Sequence, residues 1–218
     1  MTIDNCKSKS RKKQLVTYLL LLALLAGELC LAGWYGHRKA IYKFDVVRAG
    51  ILYRSGQPEG ENWDRLATLY NVKTVIDLRE IVPTADWSVE QDAACEKYGI
   101  KLVHIEMLGR DEPPTQDWQK FLDITNDPNN WPVLVHCEMG TSRTGVIVGC
   151  YRITQQGWTP TMVSKEAVNY YFKPEKHPAY LKFWRDLFTA RKKSLQASSA
   201  PASTSVPTTI GTQSNGDK

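Results

Sequence analysis

Residues 131–150, WPVLVHCEMGTSRTGVIVGC, constrain the fold more than any other part of the chain. The apolar run PVLVH at 132–136 has the length and composition of a buried strand, and it passes directly into Cys137. Five residues, Glu138, Met139, Gly140, Thr141 and Ser142, then separate Cys137 from Arg143. From there an apolar helix is expected over 143–156, stopping at Gly157. A strand that enters a short loop and leaves it as a helix belongs in an open α/β layer. In such sheets ligands bind beyond the carboxyl ends of the strands, which is where this loop falls.

The flanking sequence alternates in the same way. Strands are expected over 44–54, with a turn at Arg48-Ala49-Gly50, and over 73–78 (KTVIDL) and 100–107. Helices are expected over 61–70, over 87–98 ending at Gly99, and over 115–125 with Thr115 as N-cap. Two more follow, over 160–171 and 178–191. The expected fold class is α/β, a mainly parallel central sheet flanked by helices, preceded by an N-terminal transmembrane helix.

The spacing in the loop has a chemical consequence. A connection of five residues can wrap once around a tetrahedral oxyanion. Gly140 and Gly145 are expected to supply backbone turns closed to other residues. The loop N–H groups would then face the anion, and the helix N-terminus would add its positive dipole end. Arg143 can hold two phosphate oxygens with its planar fork. The same donors stabilise negative charge on the sulfur of Cys137, which makes it a nucleophile beneath the group it would attack. Thr144 can donate to that sulfur as it departs.

His136-Cys137-x5-Arg143-Thr144-Gly145 resembles the signature of the cysteine-based protein tyrosine phosphatases, nearest the dual-specificity branch. LYRSGQP at 52–58 and TVIDLRE at 74–80 are similar to members of that branch, and the resemblance covers roughly residues 44–190. It implies a two-step mechanism without metal or cofactor. Cys137 attacks phosphorus, an acid protonates the leaving oxygen, and water hydrolyses the phosphocysteine with the same group as base. In the family the acid is an Asp on the loop after the strand preceding the signature strand, here LGRDEPP at 108–114. Asp111 is the candidate, with Glu112 the alternative.

Other residues have plainer readings. His136 is expected to orient the loop through hydrogen bonds, Asp77 and Arg79 to form a local salt bridge, and Val146-Ile147-Val148 to be helix core. Of the five cysteines, Cys6, Cys30, Cys95 and Cys150 show no pattern of disulfide or zinc-site spacing. The body carries 19 Lys/Arg and 20 Asp/Glu over residues 34–190. A nucleic-acid partner is therefore not expected, because such a domain would concentrate positive charge on its folded body.

The ends differ from the body. Residues 1–14 are basic (KSKSRKK at 7–13), and 15–35 (LVTYLLLLALLAGELCLAGWY) are apolar over a bilayer's thickness. This run is expected to anchor the chain in a membrane, with the N-terminus cytoplasmic and the body, 44–191, on the far side. A signal peptide cleaved near Leu31-Ala32-Gly33 is the alternative. Residues 194–218, rich in Ser, Thr and Pro, are expected to be a disordered tail.

Two substrate classes are weighed, the first as the main reading and the second as its alternative. One is phosphorylated protein, phosphotyrosine first and phosphoserine or phosphothreonine with it, or a small phosphomonoester. The other is a phosphoinositide, phospholipid or inositol polyphosphate. The membrane segment favours the second. The absence of Lys or Arg between Cys137 and Arg143 opposes it, as does Glu138 if it faces the pocket. A phosphate-binding scaffold without turnover is the alternative of another class.

Overall fold

The computed structural model describes residues 3–38, 41–107 and 115–199. Helix α1 (Ile3–Arg38) contains the apolar run. Its segment Gln14–Leu31 is long and apolar enough to cross a membrane, and none of it is buried against the body. The body opens at Ile41, whose buried side chain packs with Tyr53, Trp63 and Leu134.

Five strands form one sheet in the order β1-β2-β5-β3-β4. They are β1 (Asp45–Arg48), β2 (Leu52–Ser55), β3 (Thr74–Asp77), β4 (Lys101–His104) and β5 (Val133–His136). Only β1–β2 is antiparallel, a hairpin turning at Ala49-Gly50, so the sheet is mainly parallel, as expected. The strand over 100–107 is shorter than expected. Beyond His104 the chain keeps only two edge bonds, from Ile105 N–H to Asp77 and Met107 N–H to Leu78.

The sheet is covered on both faces. Helices α2 (Glu61–Thr68) and α3 (Asp86–Tyr98) pack Trp63, Leu66 and Ala94 against Tyr53, Val75 and Leu134. On the other face lie α4 (Thr115–Asn126), α5 (Ser142–Gln156), α6 (Pro160–Asn169) and α7 (Pro178–Ser199). There Leu52, Ile76, Val133 and Val135 meet Phe121, Val146, Ile147, Val148 and Trp184. In the central strands β2, β3 and β5 every residue is buried, with alternate residues serving opposite cores. Val146, Ile147 and Val148 are fully buried, as expected of helix core.

Gly99 and Gly157 end α3 and α5 in the left-handed conformation, as the sequence suggested. Two boundaries are corrected. Helix α6 stops at Asn169, because Tyr171 takes a positive φ of 65°. Helix α7 continues through Ser199, past the expected start of a disordered tail at 194. Leu187 and Phe188 anchor its middle to the core, and the good helix formers that follow let it propagate. The rest of that tail, 200–218, lies outside the described residues, as does the loop 108–114.

Candidate active site

Strand β5 is central, flanked by β2 and β3, and it delivers Cys137 to the carboxyl edge of the sheet. Cys137 is 2% exposed. It lies at a cavity of about 720 Å³ whose walls include Met139, Thr141, Ser142 and Arg143 from the loop, with Tyr42, Lys43, Glu80, Met107 and Tyr171 around them. Helix α5 begins at Ser142, so its first N–H groups have no intrahelical acceptor. The first N–H to bond back is that of Gly145, to Thr141 O at 2.8 Å.

The two loop glycines prove different. Gly140 has φ of 62°, and a Cβ there would sit 2.6 Å from Gly56 N and 2.8 Å from the Ser55 carbonyl group. Gly145 is an ordinary helical residue, and a Cβ would meet nothing within 4 Å. Only Gly140 is required by backbone geometry.

The segment after β2 forms the floor under the loop. Gln57 N–H donates to Glu138 O at 2.9 Å, and Arg54 Nη2 donates to Gly140 O at 2.8 Å. Arg54 is fully buried, with its guanidinium 3.5 Å from the ring centre of Tyr170. The Tyr170 hydroxyl in turn donates to Asp45. Burial pushes Arg54 down from its ordinary range, while Tyr170, Glu166, Cys137 and Asp45 favour its charge. A buried guanidinium beneath the loop thus places a positive charge within reach of the sulfur.

Several expected partnerships are not formed. The Thr144 hydroxyl is buried without a hydrogen-bond partner, so it does not donate to the sulfur here. Both ring nitrogens of His136 are buried without a hydrogen bond of full geometry. Its Nδ1 is 3.9 Å from Asp77. Burial pushes His136 down toward the neutral form, against the pull of Asp77 and the Cys137 backbone. Asp77 and Arg79 form no salt bridge. Asp77 is buried, accepting from Gln91 Nε2 at 2.9 Å and from the Arg79 backbone at 2.8 Å.

Arg79 instead stacks on Trp87 at 3.4 Å and donates to Gln57 Oε1 at 2.9 Å. It lines a second cavity of about 570 Å³ with Glu138, sharing Tyr42 and Met139 with the first. Glu138 thus lines this second cavity and pairs with the loop's own Arg143. Its carboxylate is 60% exposed and stands 3.8 Å from Arg143 Nη2. The candidate acids Asp111 and Glu112 lie outside the described residues.

The other described cysteines are ordinary. Burial pushes the Cys95 thiol up to about 12 and Cys150 well above its usual value, and Cys30 is exposed on α1. Among the described residues no group of three or more His, Cys, Asp or Glu is arranged to hold a metal ion.

Comparison with known proteins agrees with this architecture. A family described as "DSP-PTPase phosphatase fused to NAD+ Kinase" matches residues 44–180. Inositol diphosphatase SIW14 of Saccharomyces cerevisiae is 35% identical over 121 residues, 54% of this chain and 41% of that protein. Inositol diphosphatase DSP3 of Arabidopsis thaliana is 35% identical over 127 residues, 56% of this chain and 59% of its own length. The putative tyrosine-protein phosphatase OCA1 of Meyerozyma guilliermondii is 36% identical over 128 residues, covering 53% and 64%. The chain thus spans about half the length of the relatives it matches. The crystal structure of the catalytic core of the yeast PP-IP phosphatase SIW14 aligns with a TM-score of 0.58 and 27% identity, over 72% of this chain and 94% of that one.

Proposed function

Because the chain belongs to the dual-specificity branch of the cysteine-based protein tyrosine phosphatases, we propose that it hydrolyses inositol polyphosphates, and in particular inositol diphosphates, through a phosphocysteine intermediate. The observation that carries the substrate class is the similarity at 35% identity to chains named inositol diphosphatase in a yeast and a plant. This reverses the order of the two classes read from the sequence, where phosphotyrosine in proteins came first. The geometry supports the reversal. Two adjoining cavities open at the loop, room for more than one phosphate, and Glu138 lines the second of them.

In this mechanism the Cys137 thiolate attacks the terminal phosphorus in line with the P–O bond to the leaving group. Arg143, with the N–H groups of Glu138, Met139, Gly140, Thr141 and Ser142, holds the equatorial oxygens. The P–O bond breaks, and its electron pair goes to the departing oxygen, which Asp111 protonates when the leaving group is a poor one. Water then attacks the phosphocysteine, releasing inorganic phosphate and the thiolate. Arg54 holds the loop from below. The membrane segment keeps this domain beside a bilayer.

Phosphotyrosine is the second reading, favoured by the similarity to the chain named a putative tyrosine-protein phosphatase. The test is phosphate release by the full chain from inositol diphosphates, inositol polyphosphates, phosphoinositide vesicles and phosphotyrosine peptides. The highest kcat/KM is expected on the inositol diphosphates. A higher value on phosphotyrosine peptides overturns the proposal.

A further inference from the structure

The phosphate loop contributes one cation, Arg143, to the Cys137 cavity, and a second reaches the same cavity from outside the loop. Lys43 lies in the segment between α1 and β1, yet its Nζ donates to Thr141 Oγ1 at 2.6 Å, across 98 residues of sequence. Its ammonium stands 5.0 Å from the ring centres of both Tyr42 and Tyr171, which fix its position by cation–π attraction. Thr141 Oγ1 donates onward to Tyr170 O at 3.0 Å, so the lysine is tied to the loop and to the end of α6 together.

Two features mark this as more than a surface lysine. The backbone of Lys43 has φ of 51°, a conformation uncommon outside glycine and one that collects at ligand sites. Among the described residues no carboxylate lies within ion-pair distance of it. An ammonium has three donors, and Thr141 uses one. Among the described residues no other acceptor engages it, which leaves two N–H groups at the rim of a cavity lined by Cys137. The family match covers residues 44–180, so Lys43 stands immediately before it in sequence.

We propose that Lys43 is a second phosphate-binding group, taking the phosphoryl group that adjoins the scissile one in a diphosphate. The scissile group lies over Cys137 in the grip of Arg143, and the adjoining group lies under the ammonium of Lys43, beside Thr141. The inference rests on the inositol diphosphate reading and deepens it. It also removes the objection that the loop lacks an internal Lys or Arg, because the missing cation arrives from the membrane-proximal segment.

The test compares two non-hydrolysable competitors of para-nitrophenyl phosphate hydrolysis by the full chain in detergent. Methylenediphosphonate carries two phosphoryl groups and methylphosphonate one. The wild type is expected to bind the first more tightly. Lys43→Gln should shrink the ratio of the two inhibition constants by roughly tenfold, the scale of one hydrogen bond to a charged group. Lys43→Arg should retain most of it. The ratio cancels any general damage to the loop. An unchanged ratio in Lys43→Gln overturns the proposal, and so does an equal rise in both constants, which would make Lys43 only a prop for Thr141. If the wild type releases no phosphate from inositol diphosphates while the ratio responds as stated, the substrate reading falls and the second phosphate site stands.

Discussion

Replacing Gly140 by alanine should disable the loop, whereas the same change at Gly145 should strengthen the fold. At Gly140 the left-handed φ costs a residue with a Cβ about 1–2 kcal/mol. The added carbon would also overlap Gly56 N at 2.6 Å and the Ser55 carbonyl group at 2.8 Å. These are backbone atoms of the β2 end, which cannot rotate away, and overpacking of this kind adds about 1–3 kcal/mol. The sum is about 2–5 kcal/mol. The chain can absorb it by losing stability or by lifting the loop off Arg54, which breaks the bond to Gly140 O. At Gly145 the Cβ meets open space within a helix, so alanine should gain about 0.5–1 kcal/mol. The assay is urea unfolding followed by tryptophan fluorescence, paired with the inhibition constant for vanadate. Gly140→Ala should lose stability, vanadate affinity, or both, by a total of that size. If Gly140→Ala keeps both within about 0.5 kcal/mol of the wild type, the close approach of loop to β2 has been misjudged.

Cys137→Ser should abolish turnover without unfolding the chain, and Arg143→Ala should weaken vanadate binding; turnover by the serine variant would rule out the covalent mechanism. Asp111→Asn should slow alkyl phosphates and phosphotyrosine by roughly 10²–10⁴-fold. It should slow inositol diphosphates less, because their leaving group is a phosphate that needs little protonation. Glu112→Gln is the matched control, and whichever of the two shows the leaving-group dependence carries the acid. Burial raises the Cys95 and Cys150 thiols, which therefore stay protonated until strongly alkaline pH, so iodoacetate at neutral pH should label neither in the folded chain. Labelling of Cys137 should be blocked by vanadate, and mass spectrometry of the digested protein reads all three sites. Finally, carbonate extraction should leave the chain in the membrane fraction, and a soluble product beginning after about residue 33 would indicate a cleaved signal.

The order of strands and helices, the central position of the 132–136 run and the Cys137–Arg143 loop were legible in residues 131–150 and their flanks. Each depends on local periodicity and short spacing, where neighbours in sequence are neighbours in space. The membrane-length apolar segment was legible for the same reason, since length and composition alone define it. What surrounds the loop was not. Arg54 reaches Gly140 across 86 residues, and Lys43 reaches Thr141 across 98, because parallel pairing of β2 with β5 and the β1–β2 hairpin bring those segments to the loop. Nothing in the local pattern of LYRSGQP or of Tyr42-Lys43 announces that convergence. Composition of the loop spoke against an inositol phosphate substrate because it counts only charges between Cys137 and Arg143. The tertiary structure pairs Glu138 with Arg143 and brings Lys43 in, so the field in the cavity is set by the whole sheet edge. A phosphate responds to the distance of a charge and not to its place in the sequence, and only the fold sets that distance.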